Sequence, residues 1–331
     1  MPETIRIVQY GLGPIGAAVA RHVVEREGLE LVGAVDIDPA KKGKDAGEII
    51  GLGRPLGFPV TGTLSEALER TEAEVALHTT SSYFDLFQSQ VIEILEAGLD
   101  IVSTAEELSF PWLDHPEAAA AVDAVARRAG KTILGTGVNP GFIMDSLPLF
   151  LTAICQRVDH IEVTRVINAS TRRGPFQAKI GSGLTVEDFE ARMAAGRMGH
   201  VGLPESVAMV FDTLGKKLVR YESNVEPVLA AGTVKTEHFE VQPGQVRGLK
   251  QVARAYGEEG EFVALTFIAA LEAGQDGDTI KISGKPDLEV TLAGTNGDLA
   301  TVAIAVNAVR RVKAAPPGLV TMRDLPIVTT S

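Results

Sequence analysis

The stretch "IRIVQYGLGPIGAAVARHVVEREGLELVGAVDIDP", Ile5–Pro39, decides how the first half of the chain folds. Ile5–Tyr10 reads as a strand, and Leu29–Val35 as a second one. Between them lies Gly11-Leu12-Gly13-Pro14-Ile15-Gly16, then a segment with helical period through Glu27. The three glycines have the G-x-G-x-x-G spacing, and each has its own task. The first permits a tight turn. The second lets a backbone approach a pyrophosphate. The third lets helix and strand pack closely. A helix opening here directs unpaired N–H groups at phosphate. Such a pattern is weak in isolation, because any glycine-rich turn can produce it. Here it follows a strand, opens a helix and has an acid, Asp36, about 20 residues after the last glycine. Residues 11–16 and Asp36 are therefore expected to hold a nicotinamide dinucleotide, with Asp36 on the adenosine ribose. Asp36 favours NAD, since it repels a 2′-phosphate. Lys41, Lys42 and Lys44 follow closely, so NADP is expected to be tolerated as well.

Strand and helix continue to alternate downstream. "AEVALHTTSS" reads as a strand ending at Thr79, Thr80 and Ser81. "FDLFQSQVIEILEAG" reads as a helix, "LDIVST" as a strand, "HPEAAAAVDAVARRAG" as a helix and "KTILGTG" as a strand. This spacing predicts an α/β fold with a Rossmann-type doubly wound parallel sheet. In such sheets ligands bind beyond the carboxyl ends of the strands. Gly11, Asp36, Thr79, Glu106 and Asn139 all fall at those ends.

"DIVSTAEELSFPW", Asp100–Trp112, sets two adjacent acids just where one strand runs out. Thr104-x-x-Glu107 fits a capping box, and Ser103-x-x-Glu106 fits in the shifted register. Pro111 limits any helix here to about a turn and a half, so helix stabilisation alone explains little. A carboxylate beside a nicotinamide suits proton transfer, and burial against Phe110 and Trp112 would raise its pKa. Of the pair, Glu106 is the expected catalytic acid–base and Glu107 the capping or supporting residue.

The second half changes character. "VDHIEVTRVINAS" alternates like a strand and ends at Asn168. "KLVRYE", "HFEVQ", "VALTFIAAL", "TIKISG" and "LEVTLAG" predict a mainly antiparallel sheet, hence an α+β domain. "RRGPFQAKIGSGLTVEDF" and "GRMGHVGLPES" read as ordered functional loops. The expected division is a dinucleotide-binding domain over 1–140 and a substrate and dimerisation domain over 141–296. A C-terminal helix over 297–331 is expected to pack back on the first.

Composition narrows the function. Among 331 residues, 45% are apolar and 22% charged, and the formal charge is −12. An acidic chain with no basic patch is unsuited to nucleic acid or anionic membranes, both of which demand phosphate neutralisation. No apolar run approaches the length of a membrane span. The single cysteine, Cys155, is read as a core residue of an apolar helix. It excludes an intrachain disulfide and fits a cytoplasmic setting, as does the lack of a basic-then-apolar leader. The six histidines show no ligand spacing, so no metal is expected. His78, at a strand end, and His200, between glycines, are read as structural.

"YGLGPIG", "KDAGEIIGLG", "STAEELSFPW", "GTGVNPGFIMD", "RRGPFQAKIGSGLT", "GHVGLPES" and "PPGLVTMRDLP" together resemble the 2,4-diaminopentanoate dehydrogenase family, over nearly the whole chain. That family includes amine dehydrogenases that reductively aminate simple ketones and aldehydes with ammonia. The resemblance implies a Rossmann domain, a dimerising α+β domain, a nicotinamide cofactor and a glutamate near the reacting carbon. It puts that glutamate in "STAEEL", at Glu106 with Glu107 second, and Asn139 beside the nicotinamide. Phe142, Met144 and Asn168 fall where relatives line the substrate pocket. The paired-histidine and lysine signature of dihydrodipicolinate reductase is absent, as is the glycine–lysine motif of the leucine and phenylalanine dehydrogenases. Two other activities compete. A diamino acid substrate would need a cation for its carboxylate, from Arg165, Arg172 or Arg173. A non-enzymatic NAD sensor would need neither the acid pair nor the Asn139 loop.

Overall fold

A computed structural model describes residues 4–196 and 198–330; Arg197, within "GRMGHVGLPES", lies outside them. In chain order the first elements are β1 (Ile5–Tyr10), α1 (Pro14–Glu25), β2 (Leu29–Val35), α2 (Ala46–Ile49), β3 (Val60–Thr61) and α3 (Leu64–Leu68). Next come β4 (Val75–His78), α4 (Phe84–Glu96), β5 (Asp100–Ser103), α5 (Pro116–Ala129) and β6 (Thr132–Gly135). The middle of the chain holds α6 (Ser146–Leu151), β7 (Arg157–Asn168), α7 (Gly174–Lys179), α8 (Val186–Ala194), α9 (Leu203–Thr213), β8 (Arg220–Leu229), β9 (Val234–Lys235) and β10 (Glu240–Val241). Then follow β11 (Val246–Gly257), β12 (Gly260–Ala270), β13 (Gly277–Lys285), β14 (Leu288–Ala293), α10 (Gly297–Ala314) and β15 (Gly318–Val320). Two compact units result. One runs to Phe142 and resumes at Gly297; the other is Ile143–Asn296.

The N-terminal unit is built on a seven-stranded parallel sheet, ordered β15-β6-β5-β4-β1-β2-β3. Helices cover both faces, which explains why β4, β5 and β6 are buried end to end instead of alternating. On one face Val19 and Val23 of α1 pack with Val302, Ala305 and Val309 of α10. On the other, Phe84, Phe87 and Val91 of α4 pack with Ala119, Val122 and Ala126 of α5. Each buried Val or Phe here contributes about 1.5–3 kcal/mol by leaving water. The helix expected over 297–331 ends at Ala314, because Pro316 and Pro317 cannot continue it. The chain then adds β15 to the edge of the sheet, pairing Gly318 with Thr132.

The second unit holds a six-stranded sheet, ordered β14-β13-β7-β12-β11-β8, antiparallel except for β7 with β12. Three points need correction. The segments read as functional loops contain α7, α8 and the start of α9. β11, one of the longest strands, was not foreseen. Its buried positions include Gly248, Ala253 and Ala255, small residues that give a faint strand signal, and their burial comes from neighbours on both sides. Cys155 is half-buried just after a short 3₁₀ turn, not inside a core helix. No helix among the described residues is long and apolar enough to cross a membrane.

Candidate active site

The carboxyl edge of the parallel sheet is tied together by a hydrogen bond across each gap from β3 to β6. Asp36 N donates to Thr61 O, Gly11 N to Val35 O and Thr79 N to Tyr10 O. Thr104 N donates to His78 O and Thr136 N to Ser103 O. The loop residues after β2, β1, β4, β5 and β6 thus emerge side by side, about 4.8 Å from one strand to the next. Two strand gaps separate the glycine loop from the acid pair, or about 10 Å.

The glycine loop fits a dinucleotide. Gly11 has φ +92°, and a Cβ there would lie 2.8 Å from Thr79 O. A Cβ on Gly16 would lie 2.0 Å from Gly11 O and 2.4 Å from Thr79 Oγ1, so only glycine fits. At Gly13 a Cβ would meet nothing within 4 Å. That leaves room for a pyrophosphate at the N-terminus of α1, which Gly13 caps. Leu12, Pro14 and Ile15 complete the loop and the first turn of α1. Gln9 is a polar residue fully buried in β1, and sequence reading passed over it. Its Nε2 donates to Gly11 O at 2.9 Å and to Thr79 Oγ1 at 2.8 Å, while Thr79 Oγ1 donates to Gly11 O. The signal was available: an amide near the end of the strand, two residues before the first glycine.

Asp36 stands at the end of β2. Its Oδ2 accepts from Leu12 N at 2.8 Å and from Lys41 Nζ at 2.9 Å, and its Oδ1 from Asp38 N at 2.9 Å. Burial raises its pKa, but Lys41 and the two backbone amides outweigh it and hold the carboxyl below its usual range. Lys42 is paired with Glu66 at 3.1 Å.

After β5 the chain makes a 3₁₀ turn, Glu106–Leu108, whose N-cap is Ala105 with no side-chain cap bond. Neither capping box foreseen in this stretch therefore forms. Glu107 instead reaches across to α4, where its Oε2 accepts Phe84 N at 2.5 Å. Tyr83, the N-cap of α4, offers no side-chain oxygen to that helix end, so Glu107 supplies one. His115 Nε2 lies 3.2 Å from the same Glu107 oxygen, and its ring stacks on Phe84. The same turn is held from below by Ser103. Its Oγ accepts from Ala105 N at 3.1 Å and bonds His78 Nδ1 at 2.8 Å. His78 Nε2 faces Gln90 Oε1 at 2.9 Å and Thr80 Oγ1 at 2.9 Å. Gln90 Oε1 can only accept, so Nε2 carries the proton and Nδ1 accepts from Ser103. Burial pushes the His78 pKa down to about 4, although the Gln90 bond opposes this.

The turn after β6 presses on the same place. A Cβ on Gly135 would lie 2.4 Å from the Leu108 carbonyl carbon, so β6 ends directly against the Glu106 turn. Asn139 follows in a loop closed by Gly141, at φ +118°, and tied to α10 through Val138 N and Thr301 Oγ1 at 3.3 Å. Phe142 ends that loop. Phe110 stacks edge-on with Trp112, and Arg323 from the C-terminal segment lies over the Phe110 ring.

The expected residues thus separate into groups. Residues 11–16, Asp36, Glu106 and Asn139 share one sheet edge. Thr79 and Thr80 stand there too, with hydroxyls bonded to the glycine loop and to Gln90, and Ser81 Oγ accepts Tyr83 N. Met144 and Asn168 belong to the other unit. There Met144 is buried, and Asn168 caps the turn Ala169–Thr171 while its Nδ2 donates to Gly274 O. Arg165 is buried in β7 opposite Asp278 of β13, with Nη1–Oδ1 at 2.8 Å. Arg172 bonds Asn296 and lies over the Phe176 ring. His200 stacks on Phe267. Among the described residues, no three His, Cys, Asp or Glu side chains group as metal ligands would.

The family model for the 2,4-diaminopentanoate dehydrogenase C-terminal domain matches residues 142–331, more than half of the chain. The chain belongs to the 2,4-diaminopentanoate dehydrogenase family. Residues 5–103 match the N-terminal family of dihydrodipicolinate reductase, a second mark of the nucleotide-binding unit. The 2,4-diaminopentanoate dehydrogenase of Acetoanaerobium sticklandii is 30% identical over 98% of this chain and 94% of its own. An amine dehydrogenase of Streptomyces virginiae is 27% identical over 98% and 96%. The solved amine dehydrogenase of Mycobacterium smegmatis superposes with a TM-score of 0.88 at 26% identity, covering 99% of this chain and 98% of that one. This member of the family is accordingly an oxidoreductase of the amine-acting dehydrogenases, and its N-terminal unit has the NAD-binding dehydrogenase fold.

Proposed function

We propose that the chain is an NAD(P)H-dependent amine dehydrogenase, which reductively aminates a ketone or aldehyde with ammonia and runs the reverse oxidative deamination. The observation that carries this reading is the division of labour between the two acids. Glu107 accepts the Phe84 amide and pairs with His115, which supports giving proton transfer to its neighbour Glu106. The nicotinamide, when bound, supplies or accepts the hydride. Glu106 takes a proton from the substrate ammonium and delivers one to the departing hydroxyl of the carbinolamine. Its negative charge then favours the iminium carbon on which reduction occurs. Asp36 and residues 11–16 orient the adenosine end, Asn139 is assigned to the nicotinamide side and Phe142 to the substrate.

Relatives of the same family act on a diamino acid, and that remains the second reading. Arg165 argues for the simpler substrate. Its charge is already balanced by Asp278 in a buried pair, so it has no net charge to offer a substrate carboxylate. A homodimer is part of the proposal. The six-stranded sheet presents an in-register row, Thr291–Thr279–Thr164–Thr266–Val252–Asn224, of exposed or half-buried side chains without charge. A flat, uncharged row of this kind suits a second copy of the same sheet. The unpaired Cys155 agrees with a reducing, cytoplasmic setting.

The deciding assay follows NADH oxidation with ammonia and a panel of carbonyl compounds. Wild-type protein should turn over, and Glu106→Gln should lose about 10²–10⁴ in kcat while binding NADH normally. A fully active Glu106→Gln would remove the proposed mechanism. Turnover only with a diamino acid would transfer the chain to the second reading.

A further inference from the structure

We infer that Lys41 is the residue that sets the choice between NAD and NADP, acting as a movable counter-ion that shares Asp36 with the adenosine ribose. This rests on the dinucleotide-binding reading of the same edge and refines it to single side chains.

A carboxylate has about four lone-pair positions. In Asp36, Leu12 N and Lys41 Nζ take both positions on Oδ2, and Asp38 N takes one on Oδ1. A ribose diol asks for two. One must be released, and the two backbone amides are fixed by the turn they belong to. Lys41 N and Lys42 N both bond Asp38 O, and Lys44 N bonds Lys41 O, so the backbone of this loop is tied as well. The Lys41 side chain is the only one of the three donors that can leave without unfolding anything. It has somewhere to go, because Asp38 Oδ2 lies 3.8 Å from the same Nζ.

Two opposite effects follow. With NAD, Lys41 competes with the ribose hydroxyls for Asp36 and lowers affinity. With NADP, the same ammonium can turn to the 2′-phosphate and offset the repulsion from Asp36. Lys42 Nζ pairs instead with Glu66, at 3.1 Å, and makes no bond to Asp36. Of the three lysines after Asp36, Lys41 is the one whose ammonium touches the Asp36 carboxylate, 2.9 Å from its Oδ2.

Dissociation constants for NADH and NADPH are to be measured by fluorescence titration of wild type, Lys41→Gln, Lys41→Arg and Lys42→Gln, with thermal melts of each. In Lys41→Gln the ratio of the two constants should move toward NADH by about tenfold or more, because one ion pair to the phosphate is lost. Lys41→Arg should keep NADPH binding, and Lys42→Gln should leave the ratio within twofold of wild type. Raising the salt from 0.05 to 0.5 M should weaken NADPH binding in wild type more than in Lys41→Gln. A ratio unchanged in Lys41→Gln, or moved toward NADPH, would overturn the assignment, as would an equal effect in Lys42→Gln. Wild-type protein that binds neither cofactor would instead overturn the dinucleotide reading itself.

Discussion

His78 makes the stability of the N-terminal unit depend on pH, by an amount that follows from its surroundings. The ring is fully buried, its Nδ1 accepts from Ser103 and its Nε2 donates to Gln90. Burial lowers its pKa from 6.5 to about 4. Between those values the folded ring is neutral, while the unfolded chain binds a proton. The unfolded state therefore holds more protons, and stability rises with pH. The contribution is whole above about pH 6.5, declines as the pH falls and is gone below about pH 4. Integrated from pH 7 to pH 5, the loss is about 2 kcal/mol. It carries a functional consequence, because a protonated ring cannot accept from Ser103, whose Oγ in turn holds Ala105 at the head of the Glu106 turn. The measurement is urea unfolding followed by tryptophan fluorescence. The chain has one tryptophan, Trp112, so the signal reports this unit alone. Wild type is compared with His78→Gln at pH 7, 6 and 5, and the difference between the two proteins is taken at each pH. Other titrating groups then cancel. Wild type should lose about 2 kcal/mol relative to the variant over this range. A difference that stays constant within about 0.5 kcal/mol would refute the buried neutral histidine.

Three further outcomes are expected. Glu107→Ala removes the oxygen at the head of α4 and the partner of His115, and should cost about 1–2 kcal/mol. Trp112 fluorescence should show an earlier melt, with turnover largely retained, whereas loss of turnover at unchanged stability would exchange the roles of the two acids. Asp36→Ala should weaken NADH more than NADPH in direct titrations, and an equal loss of both would remove Asp36 from the ribose. Asp278→Ala leaves the Arg165 guanidinium buried without its counter-ion, for which burial already lowers the pKa; the second unit should lose about 3–5 kcal/mol in a circular-dichroism melt, and Arg165→Met combined with Asp278→Leu should recover most of it.

Much of this was encoded locally. The turn at Gly11, the helix entry at Gly13–Pro14 and the acid at Asp36 are properties of neighbouring residues, and so is the alternation of strands and helices. Each depends on φ preference, missing N–H groups or a hydrophobic period, all of which act over a few positions in sequence. The placement of the glycine loop and Glu106 on one sheet edge follows from that alternation, because parallel strands all end on the same side. The chemistry of the acid pair was half legible. Sequence offered two capping registers, and the tertiary structure used neither. Glu107 found its donor at Phe84, 23 positions away, because Tyr83, the N-cap of α4, makes no side-chain capping bond. The tie between His78 and Ser103, the pairing of Arg165 with Asp278 and the strand β11 are of the same kind. In each, a polar or small residue gains its meaning from a partner that only the folded chain brings within 3 Å or packs against it. A buried polar group must be satisfied by something, and sequence shows that the need exists without showing which distant segment will meet it.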